Sequence, residues 1–181
     1  MQKGFTLFEL SIVLLISSLL LVSGIPAIAN FWERNIVVAE LHSLEDAFNK
    51  ARRRAVIDGY PIVVCSLSAN NRCQRNWQNK IDIFRDTNQN RTLDSGDLYL
   101  RTHTVNSRLE LIGKLSARRS YLQYDPDGTT HGTAGSIQLC NPEFNTINQR
   151  ALIISMTGRL RRSFDRNKDG LHEAGSKNIC L

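Results

Sequence analysis

Between Leu10 and Trp32 the chain runs through LSIVLLISSLLLVSGIPAIANFW without one charged residue, long enough as a helix to cross a hydrocarbon layer of roughly 30 Å. From Val37 onward the apolar positions narrow to one face: Val37, Leu41, Leu44, Phe48, Ala51 and Ala55 recur at alternating four- and three-residue steps, the period of an amphipathic helix. Together the two stretches predict one long helix, its first half in lipid and its second packed on a domain. Pro26, preceded by Ser23 and Gly24, predicts a bend or loosening over residues 22 to 26, because proline removes a backbone donor. Lys50 and Arg52 to Arg54 fall near the negative end of the helix dipole, and Asp58-Gly59 supplies the stop.

After Gly59 the period shortens. Runs rich in β-formers follow at PIVVCSL (61–67), IDIFR (81–85), DLYLRT (97–102) and LELIG (109–113), with further candidates at YLQY, GSIQLC, RALIISM and RLRRSF. Polar turns of Asn, Asp, Gly and Ser separate them. The order predicts an α+β fold: a long N-terminal helix, transmembrane in its first half, packed on a C-terminal domain of antiparallel sheets.

A length of 181 residues suits one domain with a small attachment. The formal net charge of +6 selects anionic partners such as nucleic acid, anionic lipid or an acidic protein. Lys3 in the opening MQKG keeps the N-terminus cytoplasmic and sends the rest of the chain outward. Glu9 stands at the start of the apolar segment, where a carboxylate costs roughly 2.5–3.5 kcal/mol at a span's centre and calls for a cationic partner on a neighbouring subunit. The four cysteines, Cys65, Cys73, Cys140 and Cys180, then lie on the oxidising side, where two disulfides are expected. Three pairings are open; the favoured one joins Cys65 to Cys73 and Cys140 to Cys180. His42, His103, His131 and His172 form no ligand motif, so no metal site and no cofactor are expected.

KGFTLFEL resembles the class III signal of type IV prepilins, with Gly4 before the cut and Glu9 at the fifth position of the chain that begins at Phe5. The resemblance implies cleavage between Gly4 and Phe5 by a prepilin peptidase and N-methylation of Phe5. It also implies an assembly role for Glu9, whose carboxylate meets the N-terminal amine of a neighbouring subunit. Residues 1–4 are then the leader, 5–30 the transmembrane and filament-core helix, and 31–181 the extracytoplasmic domain with the second half of the helix. A single-pass inner-membrane protein with a periplasmic domain, later carried into an extracellular pilus among other major and minor pilins, is the implied course.

Two loops resemble calcium-binding loops. DTNQNRTLDSGD offers Asp86, Asn88, Asn90, Asp94 and Asp97, and DRNKDGLHEAGS offers Asp165, Asn167, Asp169 and Glu173. Both are defective as EF-hand loops: Arg91 occupies the glycine position of the first, which ends in the short Asp97, and Ser176 ends the second. Turn-forming Asn, Asp and Gly between strands explain them better.

The stretch RALIISMTGRLRRSF reads as a hairpin turning at Met156-Thr157-Gly158. Period-two alternation places Arg159, Arg161 and Ser163 on one face and Leu160, Arg162 and Phe164 on the other. The face with Leu160 and Phe164 is expected to meet the core. Arg159 and Arg161 then project together, roughly 7 Å apart, and address neighbouring phosphates, with Arg162 joining from the strand edge. Lys114, Arg118 and Arg119 in GKLSARRS, with Arg150 and Arg166, are candidates to extend the patch. A solvated basic face, or pairing with acidic groups on an adjacent pilin, is the plainer alternative.

The whole chain is similar to GspH/FimT-type minor pilins, and GRLR at 158–161 matches the GRxR motif associated in FimT-like proteins with DNA binding during natural transformation. That resemblance implies a non-enzymatic minor type IV pilin that takes up DNA through Gly158, Arg159 and Arg161, with Arg162 adjacent to the motif. The alternative is a structural minor pilin or type II secretion pseudopilin that primes filament assembly, its basic hairpin contacting protein. A hydrolase is disfavoured, because no nucleophile elbow or acid/base motif is present.

Overall fold

A computed structural model describes residues 4, 6–77, 80–141, 149–168, 172–174, 177–178 and 180. Helix α1 spans Leu7–Asp58 and is helical throughout, with no interruption at Pro26. Thr6 opens it: its hydroxyl accepts the Glu9 amide at 3.3 Å, the cap that Thr-x-x-Glu encodes. The chain divides into two compact units, one ending at Ile36 and one beginning at Val37. In the first, the apolar side chains of the helix face outward, among them Leu14, Leu19, Leu20, Ile28 and Phe31.

In the second unit the helix lays one face on the sheets. Val37, Leu41, Leu44, Ala47, Phe48, Ala51 and Ala55 are all buried. A fully buried leucine or phenylalanine contributes roughly 1.5–3 kcal/mol, so this stripe fixes the helix to the domain. The arginines near its end act otherwise than the dipole reading expects. The last turn carries no basic residue; Arg54 pairs with Asp58 at 2.6 Å, and Arg52 reaches out to the domain.

The first sheet holds β1 (Ile62–Leu67), β2 (Cys73–Gln74), β3 (Lys80–Arg85), β4 (Leu98–Thr104) and, after β5 (Glu110–Leu115) of the second sheet, β6 (Tyr121–Tyr124). β1 lies between β3 and β6, with Ile62 to Cys65 paired to both. That position explains why Ile62, Val63, Val64 and Cys65 are fully buried. Val63, Cys65 and Phe84 form a second small core with Leu67, Cys73, Leu93 and Tyr121, and the Cys65–Cys73 disulfide closes it.

The second sheet runs β5 (Glu110–Leu115), β7 (Gly135–Cys140), β8 (Arg150–Ile154), β9 (Leu160–Arg162), all antiparallel. A short 3₁₀ turn, Ser116–Arg118, joins β5 to β6. One face of this sheet buries Ile137, Leu139, Leu152 and Ile154. On the opposite face the C-terminal segment, with β10 (Glu173–Ala174) and β11 (Lys177–Asn178), covers one end. There Ala174 and Cys180 pack on Cys140 and Ala151, and the Cys140–Cys180 disulfide fastens the segment to β7.

The Asp/Asn loop at 86–97 is built from its own hydrogen bonds. Asp86 accepts the amides of Asn90 and Arg91 at 3.1 and 2.9 Å, and Asp97 accepts that of Thr87 at 2.8 Å. Asn88 and Asn90 both donate side-chain N–H to Asp94, at 2.8 and 2.9 Å. Among the described residues no group of three His, Cys, Asp or Glu is arranged to hold a metal. Asp169 and Ser176 of the second loop lie outside the described residues.

Candidate nucleic-acid interface

The turn between β8 and β9 is a tight one followed by a left-handed glycine. The Gly158 amide donates to Ser155 O at 2.9 Å, and the Ser155 amide to Arg159 O at 3.1 Å. Gly158 has φ of +76°, a conformation that L side chains resist. It is also walled in: a Cβ built there would overlap the Gly128 carbonyl oxygen. Glycine is required at 158 on both counts.

The turn is fastened to α1 by Arg52. Its Nε donates to Gly128 O at 2.8 Å and its terminal nitrogen to Thr157 O at 3.0 Å. The Thr130 amide adds a bond to Met156 O at 3.0 Å. Asp127 sits beside this clamp, and the Thr129 amide and hydroxyl hold its carboxyl below the ordinary range.

Arg159 and Arg161 are exposed, and neither pairs with a described carboxylate. Strand register gives their side. Arg161 pairs with Ile153, Ile153 with Ser136, and Ser136 with Lys114, so Lys114 and Arg161 end one row on the outer face. With neighbouring strands about 4.8 Å apart, three spacings separate them by roughly 14 Å.

Arg162 faces the other way. Its guanidinium donates twice to Glu45 of α1, at 2.8 and 2.6 Å, and lies 3.0 Å from His42 Nδ1. It therefore joins strand to helix instead of extending the arginine pair toward solvent. The expected alternation fails one residue later: Ser163 is buried and Phe164 is 47% exposed. β9 ends at Arg162; beyond it Ser163 Oγ accepts the Ala151 amide at 2.8 Å and His172 Nδ1 lies 3.0 Å from Ser163 O, so the serine is covered where the C-terminal segment packs. Arg166 Cζ stacks 5.2 Å from that exposed ring.

The other basic candidates scatter. Arg150 donates to Gln149 O at 2.8 Å. Arg119 donates to His131 O and Thr133 Oγ1, at 2.9 and 2.7 Å. With Lys114 and Arg118 it lines a hollow of about 330 Å³, which also takes in Arg75. A neighbouring hollow of about 510 Å³ carries Arg72, Arg91 and Tyr121. Arg72, Arg75 and Arg91 were illegible as a set, because they stand singly in separate loops; the Arg72–Thr92 bridge and the adjacent disulfide bring them together.

The histidines serve structure. His103 bonds Glu40 at 2.7 Å, His131 bonds Asp125 at 2.9 Å, and His172 bonds Ser163 O at 3.0 Å. Burial lowers the His172 pKa, aided by Arg150. Glu9 is exposed in the first turn of α1. Gly4 is described, whereas Lys3 and Phe5, and with Phe5 the cleavage and methylation point, lie outside the described residues.

Two sequence families match: the one described as type II transport protein GspH over residues 40–158, and the prokaryotic N-terminal methylation motif over residues 1–25. Comparison with curated protein sequences finds no significant match. Among solved structures, the type IV minor pilin FimU of Pseudomonas aeruginosa is similar in two crystal forms. One has 24% identity and a TM-score of 0.54 over 83% of this chain and 99% of that one. The other has 22% identity and a TM-score of 0.50 over 79% and 98%. The minor pseudopilin EpsH from the type 2 secretion system of Vibrio cholerae matches with 13% identity and a TM-score of 0.51, over 70% of this chain and 94% of that one. At these identities the likeness is one of fold: a long N-terminal helix followed by antiparallel sheets.

Proposed function

The chain belongs to the GspH family, and on that footing we propose that this minor pilin or pseudopilin binds extracellular DNA through Arg159 and Arg161 for uptake in natural transformation. The family is structural, and association with other pilins and processing by a prepilin peptidase go with membership. The observation that carries the DNA reading is the exposed arginine pair, on the outer face, without a carboxylate partner, on a turn held by Arg52.

The mechanism is electrostatic. Planar guanidiniums bind phosphate oxygens bidentately. Each neutralised phosphate releases counterions, so affinity falls with salt by about 0.9 logarithmic units of slope per contact on duplex DNA. Two arginines give a slope near 1.8 by that rule, weak for one subunit and strengthened where several subunits engage one molecule. Contacts of two arginines to phosphates carry no base information, so binding is expected to be independent of sequence.

Cleavage at Gly4/Phe5, N-methylation of Phe5 and pairing of Glu9 with a neighbouring amine complete the proposal, with residues 5–30 in the inner membrane and the domain periplasmic before assembly. The test is fluorescence anisotropy of labelled non-specific DNA against the full chain in non-ionic detergent, at several salt concentrations, beside Arg159→Gln/Arg161→Gln. Wild type is expected to bind with salt-weakened affinity and the folded variant to lose most of it.

A second reading, a filament-priming role with the hairpin contacting protein, has its own support. Val56 and Ile57 are exposed at the end of α1 and line a hollow with Arg53, Asp127 and Gly128, a mixed surface suited to a protein partner. Loss of a minor-pilin partner on Arg159→Gln, with no DNA binding by wild type, establishes this reading instead.

A further inference from the structure

We propose that the basic cleft around Tyr121 is a second anchor for the same DNA, so that one nucleic-acid strand is held at both edges of the outer face. The proposal rests on the DNA reading of the hairpin and names residues outside it. Two adjoining hollows meet at the segment Arg119 to Tyr121, one carrying Arg72 and Arg91 and the other Arg75, Lys114 and Arg118. Among the described residues no carboxylate lines either.

The arginines of the cleft pair with no described carboxylate. Arg91 and Arg119 are placed over the Tyr121 ring, their Cζ atoms 5.4 and 5.9 Å from its centre. Such stacking orients a guanidinium without neutralising it. Arg91 Nε is buried and has no hydrogen-bond partner, and Arg72, Arg75 and Arg118 are exposed and pair with no described carboxylate. Gathering this many like charges in one concavity raises the local potential, and only a polyanion relieves it along its length.

The strand register connects this cleft to the hairpin. Lys114 lies in it and shares a row with Arg161, roughly 14 Å away across three strand spacings. Between them stand Ser136, which is buried, and the half-buried Ile153, neither of them charged. A backbone that spans this distance meets Arg159 and Arg161 at one edge and the cleft at the other.

The decisive variant is Arg72→Gln/Arg75→Gln/Arg118→Gln in the full chain in non-ionic detergent, which spares Arg91 and Arg119 because both contact the fold. Its companion is Arg72→Lys/Arg75→Lys/Arg118→Lys. Anisotropy titrations of non-specific duplex DNA across salt concentrations are expected to show at least about a tenfold loss for the glutamine variant and a slope smaller by roughly 2.7 units. The lysine variant keeps the wild-type slope, because counterion release follows charge. Wild-type affinity and slope in the glutamine variant overturn the cleft and leave the hairpin standing, with the cleft free for an acidic protein. Loss of binding in the cleft variant with full binding by Arg159→Gln/Arg161→Gln confirms the cleft and removes the hairpin. Failure of wild type to bind overturns both.

Discussion

Gly158 carries two constraints at once, a left-handed φ and a backbone oxygen where a side chain would begin. Gly158→Ala is therefore expected to destabilise the domain by about 2–3 kcal/mol, read as a lower midpoint in thermal unfolding followed by circular dichroism. Asp82 makes a different residue-level case. It is fully buried, and burial alone would raise its pKa; hydrogen bonds from Thr102, Tyr99, the Leu67 amide and Lys80 outweigh that and hold it below the ordinary range. Tyr99, desolvated beside it, is pushed up to about 12. A folded pKa below the unfolded one gives stability that is present above the unfolded value, about 3.9, and is lost as pH falls through the folded value. The stability gap between wild type and Asp82→Asn, measured by denaturant titration, is thus expected to stay constant near neutrality and to narrow below about pH 4. At this scale the sequence spoke unevenly. Arg159 and Arg161 fall on one strand face as period two requires, while the burial of Ser163 and the exposure of Phe164 escape it, because the Ala151 and His172 contacts that cover the serine are tertiary facts.

The contact of β9 with α1 turns on Arg162 and Glu45, a pair in which two guanidinium N–H groups share Glu45 Oε2 and whose side chains are 45% and 24% exposed. Solvent weakens such a pair, so Glu45→Gln is expected to cost only about 0.5–1 kcal/mol in denaturant titration. The same variant should leave the salt slope for DNA unchanged, since Arg162 faces the helix. The disulfides separate by loop length. Closing a sequence separation of 40, Cys140–Cys180 restricts the unfolded chain by about 4 kcal/mol, and the separation of 8 at Cys65–Cys73 by about 2.5 kcal/mol. Paired Cys→Ala variants are expected to rank in that order by unfolding midpoint. The longer elements were legible for two reasons: the stripe of α1 is buried on one side and keeps its period, while the strands at 62–67, 80–85, 121–124 and 135–140 are buried on both faces and read as short runs of β-formers between polar turns. The two-residue strands β2, β10 and β11 carry no period to read; β2 and the segment of β10 and β11 are held by disulfides and by pairing with distant residues.

At the scale of the whole chain, the helix carries apolar side chains outward up to Ile36 and a single buried stripe from Val37. That change of pattern was legible, since in the sequence an all-round apolar run gives way to one apolar face. The gathering of Arg72, Arg75 and Arg91 with Lys114 and Arg118 was not, because it depends on which loops the two sheets bring to one edge. The basic hairpin touches the helix at two positions, Glu45 through Arg162 and Arg52 through the Thr157 carbonyl, seven residues and therefore roughly 10.5 Å apart along the axis. Two attachments that far apart resist torque as well as tension. A pull on the hairpin, whichever partner applies it, passes into the helix through an ion pair and a carbonyl clamp together, while the pairing of β8 with β9 and the Thr130 bond to Met156 hold the turn to the sheet.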